Sequence, residues 1–205
     1  MPVIVIANPK GGVGKSTLST QVAGLLAHRG HSVMLGDVDR QQSSRAWLGL
    51  RPEGIPRIAT WDIDQDHIAK PPKGTTHIVL DTPAGLHGKR LDEVMKLADK
   101  VLLPLQPSIF DIYATKAFLD ELLSRRKSHQ VPVGVIANRV KTGSLSVDQL
   151  RAFLEGQKVP VLAELRDTQN YVQLAARGLT LWDVSPSRVT RDLEQWQPIA
   201  DWLER

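Results

Sequence analysis

The sequence predicts an α/β fold: a mostly parallel, twisted sheet with helices on both faces. Two observations carry this. Short β-branched apolar runs recur along the chain, and segments with helical spacing separate them. The runs are apolar at nearly every position instead of alternating with polar residues, which is the pattern of strands covered on both faces. A third observation sets the scale: 205 residues, 41% of them hydrophobic, suffice for one domain, residues 1–205, with a sizeable core.

Taken in order, Val3–Ala7 reads as a strand and Ser16–Arg29 as a helix. Ser32–Asp37 is a second strand, entered through a turn at Gly30. His77–Asp81 and Lys100–Leu105 are the third and fourth. A helix over Ile112–Arg126 leads to a fifth strand, Val133–Asn138. Ser146–Gln157 is a helix with Ser146 as its N-cap, and Val159–Leu165 a last strand. A further helix closes over Leu174–Gly178, and Arg188–Glu204 forms the final one. The Pro- and Gly-containing stretch Leu50–Thr76 reads as a short excursion between the second and third strands.

Composition removes several classes of chemistry. The chain has no cysteine, so disulfides, thiolate metal sites, iron–sulfur clusters and cysteine nucleophiles are excluded. That fits a cytoplasmic protein. No apolar stretch approaches the length of a membrane span, and Val3–Ala7 lacks the basic flank of a secretion signal. A formal net charge of +4 permits a polyanionic partner.

The first strand runs into Asn8-Pro9-Lys10-Gly11-Gly12-Val13-Gly14-Lys15-Ser16-Thr17, and a helix follows. Glycines let a loop backbone curl until several N–H groups face one anion, and the following helix adds its positive end. This is the strand–loop–helix context of a phosphate-binding loop. It predicts a P-loop NTPase that binds ATP and Mg²⁺ through Gly11, Gly12, Val13, Gly14, Lys15, Ser16 and Thr17. Lys15 is placed to reach the β- and γ-phosphates and the Ser16 hydroxyl to ligate the metal. Pro9 stands where the strict pattern has its first glycine. Lys10 adds a second positive charge to the loop.

Two carboxylate sites follow at strand ends, where open parallel sheets bind ligands. Asp81 closes the third strand and is placed to hold Mg²⁺ directly or through water. Asp39, just past the second strand, is placed to orient and deprotonate the attacking water. A lone aspartate at a strand end also serves as a turn former or helix cap.

These residues resemble the ParA/MinD family of deviant Walker ATPases, and most closely its small ParF-type members without a separate N-terminal DNA-binding domain. Lys10 resembles the signature lysine that crosses into the partner's ATP site in a nucleotide-sandwich dimer. Asp37-Val38-Asp39-Arg40-Gln41 resembles an Asp-x-Asp-Pro-Gln box whose second Asp serves hydrolysis, with Arg40 in place of proline. Asp81-Thr82-Pro83-Ala84-Gly85 resembles the Walker B and switch segment. Pro104–Asp111 resembles another characteristic stretch. Ala137-Asn138-Arg139 matches a strand end whose Asn reads the adenine edge.

The resemblance implies a bacterial, nucleoid-associated ATPase that positions cargo. Its ATP-bound homodimer binds DNA without sequence preference. A ParB-like protein or cargo adaptor stimulates hydrolysis and releases it. The resemblance points to a basic surface late in the chain, formed by Arg166, Arg177, Arg188 and Arg191, with Arg125-Arg126-Lys127 as a second possibility. That run also answers a helix dipole.

Other readings share the loop. A nitrogenase-type iron protein needs cysteines. A MinD-like protein binds membrane through a C-terminal amphipathic helix, and Val189, Leu193, Trp196, Ile199 and Leu203 do form an apolar stripe. The tail carries four acids against two arginines, the wrong balance for an anionic membrane, so core packing and no membrane partner are expected. A small-molecule ligase and a nucleotide-binding scaffold without hydrolysis remain as further classes.

Overall fold

The computed structural model describes residues 1–63, 70–129 and 131–205, without the side chains of 125–129. Among the described residues seven strands form one sheet: β1 (Val3–Ile6), β2 (Val33–Asp37), β3 (Ile58–Trp61), β4 (His77–Asp81), β5 (Lys100–Leu105), β6 (Val133–Val140) and β7 (Val161–Arg166). Their order is β3-β2-β4-β1-β5-β6-β7, and every described pair is parallel. The connecting helices are α1 (Lys15–His28), α2 (Ser43–Leu48), α3 (Gly88–Leu97), α4 (Ile109–His129), α5 (Leu145–Glu155), α6 (Gln169–Ala175) and α7 (Pro186–Glu204). A 3₁₀ turn, Leu181–Asp183, precedes α7.

The apolar strands are explained by two cores, one on each face. Within β1, Val3 and Val5 join one cluster, while Ile4 and Ile6 join the other. In β4, Ile78 and Leu80 face the first and Val79 the second. In β5, Val101, Leu103 and Leu105 face the first and Leu102 the second. A pleated strand sends successive side chains to opposite faces, so burial on both demands an unbroken apolar run.

The first core is closed by α3, α4 and α5 through residues such as Leu91, Phe118 and Leu150. The second holds α1 and α7, with Leu26, Trp196 and Ile199 among its fully buried side chains. Helix α1 is buried along nearly its whole length, from Leu18 to Ala27. A Cβ on Gly24 would stand 2.5 Å from the Thr180 side chain, so only glycine allows α1 to pack so closely there.

The structure departs from the sequence expectations in identifiable places. The Leu50–Thr76 stretch contributes β3, which pairs with β2 and forms one edge of the sheet. Helices α2 and α3 are additions to the expected elements. Helix α5 starts earlier than expected, and its N-cap is Ser144, not Ser146. The two hydroxyls lie 3.1 Å apart. Helix α7 begins two residues early, and Val189 breaks its helical backbone (φ −133°, ψ 18°) after the first turn.

The turn before α7 is tied to the α2–β3 connection by an ion pair in the interior. Both terminal nitrogens of the Arg51 guanidinium bond to the Asp183 carboxylate, at 2.9 and 3.1 Å, with the two side chains 6% and 0% exposed. Asp183 also accepts from the backbone N–H and the hydroxyl of Thr180, each at 2.7 Å. Removing one member of such a pair strands the other's charge. Asp183→Ala is therefore expected to lower unfolding stability by about 3–5 kcal/mol in a denaturant titration; an unchanged midpoint would show that Arg51 is solvated instead.

Candidate nucleotide site

The carboxyl ends of β1, β2, β4, β5 and β6 meet at one edge of the sheet, with β1 central. From β1 the chain winds outward to β2 and β3, returns to β4, and crosses β1 to reach β5. The loop after β1 therefore lies at the reversal of winding, where open α/β sheets take their ligands.

That loop is held in shape by its own backbone and by three side-chain anchors. Gly12 and Gly14 have φ of 77° and 96°, the left-handed region that favours glycine. Asn8 is fully buried. Its Nδ2 donates to the Pro104 carbonyl and the Thr115 hydroxyl, and its Oδ1 accepts from Lys10 N–H at 2.8 Å. Gln106 Nε2 donates to Gly12 O, and Asn138 Nδ2 to Val13 O at 2.7 Å. The Gly85 N–H, from the segment after β4, donates to Pro9 O at 2.8 Å.

Helix α1 starts at Lys15 with Gly14 as its cap, no side chain bonds its first N–H groups, and its first turn carries no acid. Such a terminus presents backbone donors and a partial positive charge to an anion. Lys15 is buried, and its Nζ donates to Lys10 O at 2.7 Å. Burial holds this ammonium below its usual range, and the carboxylates of Asp81 and Asp39 oppose that effect. The three groups therefore share one site.

The carboxylates differ in employment. Asp37, beside Asp81 across the β2–β4 pairing, is committed to structure. Its Oδ2 caps α2 by accepting from Ser44 N–H, Ser44 Oγ and Arg45 N–H, and its Oδ1 accepts from Asp39 N–H. Asp39 is half-buried and uses Oδ1 on the Gln41 N–H at 3.0 Å. Asp81 is 1% exposed, and neither of its oxygens has a hydrogen-bond partner. The hydroxyls of Ser16, Ser44 and Ser19 are near enough to lower its pKa without reaching bonding geometry. Burial outweighs them and pushes the carboxyl up to about 6. Orphaned buried oxygens of this kind are rare, and a hard cation held with the Ser16 hydroxyl fits them.

Lys10 is half-buried at the rim, 3.8 Å from Asp111 on the first turn of α4. Ile109, Phe110 and Tyr113 on that same turn are exposed, Phe110 by 76%. A cavity of about 460 Å³ opens beside the loop. It is lined by Gly14 and Thr17 from the loop and α1, by Asn138 and Arg139 from β6, and by Arg166 at the end of β7, Thr168 in the connection and Tyr171 in α6. Arg139 has a positive φ of 54°, a strained value for a residue with a side chain.

The late arginines divide. Arg177, Arg188 and Arg191 are exposed, and the first two line one small groove with Asn170 and Gln173. Arg166, expected in the same surface, is instead bound in a bidentate pair to fully buried Asp192 and lines the cavity. The Arg125-Arg126-Lys127 run lies outside the described side chains. The C-terminal apolar stripe is spent on the core: Val189, Trp196, Ile199 and Leu203 are buried. No helix among the described residues is long and apolar enough to cross a membrane.

Asn8 and the capping role of Asp37 lie beyond the sequence expectations. A buried Asn directly after an apolar strand and before proline offered the first signal. Ser43-Ser44, at helix-start distance from Asp37, offered the second.

The Asp81 arrangement has a measurable cost. Folded, the carboxyl keeps its proton up to about pH 6, while the unfolded value is 3.8. The native state thus binds more protons between these values, and stability falls as pH rises across that window. In metal- and nucleotide-free protein, Asp81→Asn is expected to raise stability at pH 7.5 by up to about 3 kcal/mol. The gain should vanish below pH 4. Thermal unfolding across a pH series checks this, and equal stabilities at pH 7.5 would mean that the carboxylate is solvated.

Comparison with known proteins agrees with this architecture. Residues 4–181 match the CobQ/CobB/MinD/ParA nucleotide binding domain. Protein ParA of Rhizobium radiobacter is 28% identical over 153 residues, spanning 69% of this chain and 68% of that protein. Maintenance of carboxysome distribution protein A of Halothiobacillus neapolitanus is 25% identical over 190 residues, spanning 88% and 87%. The septum site-determining protein MinD of Pyrococcus horikoshii OT3, solved with Mg-ADP, superposes with a TM-score of 0.74 at 19% identity, covering 100% of this chain and 96% of that one. The loop after β1, the reversal of winding around it and the match over residues 4–181 lead to one conclusion: this chain belongs to the CobQ/CobB/MinD/ParA nucleotide-binding domain family.

Proposed function

We propose that this protein is an ATP-dependent positioning ATPase of the ParA type. The observation that carries the nucleotide chemistry is the unpartnered Asp81 carboxylate, buried beside Lys15 and the uncapped start of α1. Residues 10–17 cradle the phosphates with backbone N–H groups, and the Lys15 ammonium leaves Lys10 O to neutralise them. Ser16 and Asp81 hold Mg²⁺, which when bound offsets charge on the phosphate oxygens. Asp39, whose Oδ2 is free of the turn it forms, orients the attacking water. Asn138 keeps Oδ1 to accept from an adenine amino group, since its Nδ2 is spent on Val13 O, and Arg139 lies beside it at the cavity wall.

Positioning is supported by the names of two relatives, a ParA and a carboxysome distribution protein. In this reading ATP joins two copies across the face that carries Lys10, and Lys10 exchanges its pairing with Asp111 for the partner's phosphates. The exposed Ile109, Phe110 and Tyr113 adjoin Lys10 and are covered by the second copy. The dimer then binds DNA phosphates through Arg177, Arg188 and Arg191, acting in the cytoplasm on the nucleoid. A ParB-like or cargo-linked protein stimulates hydrolysis and ends the cycle.

Asp39→Ala is expected to bind Mg-ATP, lose hydrolysis and run as a dimer in size-exclusion chromatography with light scattering, whereas Lys10→Ala in that background stays monomeric. Lys15→Ala should not bind ATP. Turnover by Asp39→Ala at the parent rate would remove Asp39 from the chemistry, and a nucleotide-free dimer indifferent to Lys10 would remove the sandwich.

DNA binding by the ATP-bound Asp39→Ala protein should be indifferent to sequence and weaken with salt. Arg177→Glu, Arg188→Glu and Arg191→Glu each remove two cations from the dimer's contact with the DNA backbone, one per copy. Each should therefore flatten the log–log salt slope by about 1.8. Identical slopes in parent and all three variants would place the surface elsewhere, and no binding by the parent at low salt would end the DNA reading.

A further inference from the structure

The C-terminal helix reaches the wall of the cavity beside the phosphate loop through one fully buried carboxylate. Asp192, 0% exposed on α7, accepts from Arg166 Nε at 2.5 Å and from a terminal Arg166 nitrogen at 3.0 Å. It also accepts from Asn170 Nδ2 at 2.6 Å. Neighbouring α7 residues continue the attachment. Gln195 Oε1 accepts from the Arg166 backbone N–H at 3.0 Å, and Trp196 Nε1 donates to the Tyr171 hydroxyl at 2.9 Å. The segment from Arg166 to Tyr171 is therefore fixed from behind by α7. Arg166, Thr168 and Tyr171 of that segment line the cavity together with Gly14, Thr17 and Asn138.

We propose that Asp192 is a positioning residue of the nucleotide site: through Arg166 and Asn170 it holds this wall in the form that receives the base and ribose. The inference rests on the nucleotide reading above. The phosphate loop is built separately, by Asn8, Gln106 and the backbone of residues 10–15, and these anchors lie outside α7. Asp192 thus governs one part of the ligand and leaves the other alone. Charge-assisted bonds to a fully buried carboxylate are the strong ones, and a binding wall works only when its supporting shell locks it. A direct electrostatic effect has the opposite sign. Removing a negative charge behind the cavity favours any anion in it, so weaker ATP binding reports geometry, not field.

The test compares Mg-ATP with inorganic tripolyphosphate by calorimetry on the full chain. Asp192→Asn, which keeps size and removes charge, is expected to weaken ATP about tenfold, the cost of about 1.4 kcal/mol, and tripolyphosphate less than twofold. Asn170→Ala, which leaves the Arg166 pair in place, should weaken ATP about threefold with the same selectivity. Arg166→Gln with Asp192→Asn should be no worse than Asp192→Asn alone, because the two act as a unit. Equal weakening of both ligands marks a general loss of fold and overturns the proposal, as does unchanged ATP affinity in both single variants. Should Asp192→Asn fail to fold, Asn170→Ala decides. A parent that binds tripolyphosphate without preferring ATP sinks the nucleotide reading itself, a result distinct from variants that match an ATP-binding parent.

Discussion

Strand β1 is paired on both edges, to β4 on one side and β5 on the other, and the geometry of the site follows from that. A strand paired on both sides in a parallel sheet cannot slide without breaking two ladders and exchanging its two apolar faces. The residues after its end are therefore fixed against those after β4 and β5. Ile6 pairs with Asp81, which is how the third carboxylate comes to stand beside the phosphate loop. Thr82 closes the seam by donating its hydroxyl to Ile6 O. On the other side Ala7 N–H donates to Leu102 O, and Asn8 bonds to Pro104 O.

On that frame, polar groups are sorted into those that are satisfied and those left for a ligand. Asp37 and Asn8 spend their side chains on backbone and neighbouring groups, and both make loops rigid. Asp81 spends none, although it is the most deeply placed of the three aspartates. Burying a carboxylate without partners costs free energy that a small domain keeps only where the strain has a use. The raised pKa of Asp81 and the lowered pKa of Lys15 are two views of this, since burial is the first cause of each.

The end of the chain reaches the site by another route. Helix α7 buries Trp196 and Ile199 in the second core, which fixes its rotation about its own axis. With those residues inward, Asp192 lies one turn before Trp196 and meets Arg166 at the end of β7. Packing that reads as a stripe of apolar residues thus also decides where a charged pair forms. The same packing places Val189, Trp196, Ile199 and Leu203 of the stripe in the core, with Leu193 partly buried against it.

Much is legible along the chain, and the limit has a physical cause. The apolar runs determine that the sheet is parallel and covered twice, and the bounds of β4 and β5 match their sequence reading because both strands are buried on both faces. The glycine–lysine loop between a strand and a helix determines the nucleotide-binding family, since backbone curvature and a helix start are local properties. Strand β3 and helices α2 and α3 escape such a reading because they are short, partly exposed elements whose order comes from neighbours. β3 exists through its ladder to β2, and α2 through its cap from Asp37. Which arginines are free is equally beyond the sequence. Arg166 and Arg188 look alike in a basic stretch, yet one is bound to a buried carboxylate from α7 and the other lines an exposed groove. Sequence carries what each segment can do within its own few turns. Only the tertiary structure decides which polar groups find partners across the fold, because those partners lie many residues away and are brought together by packing.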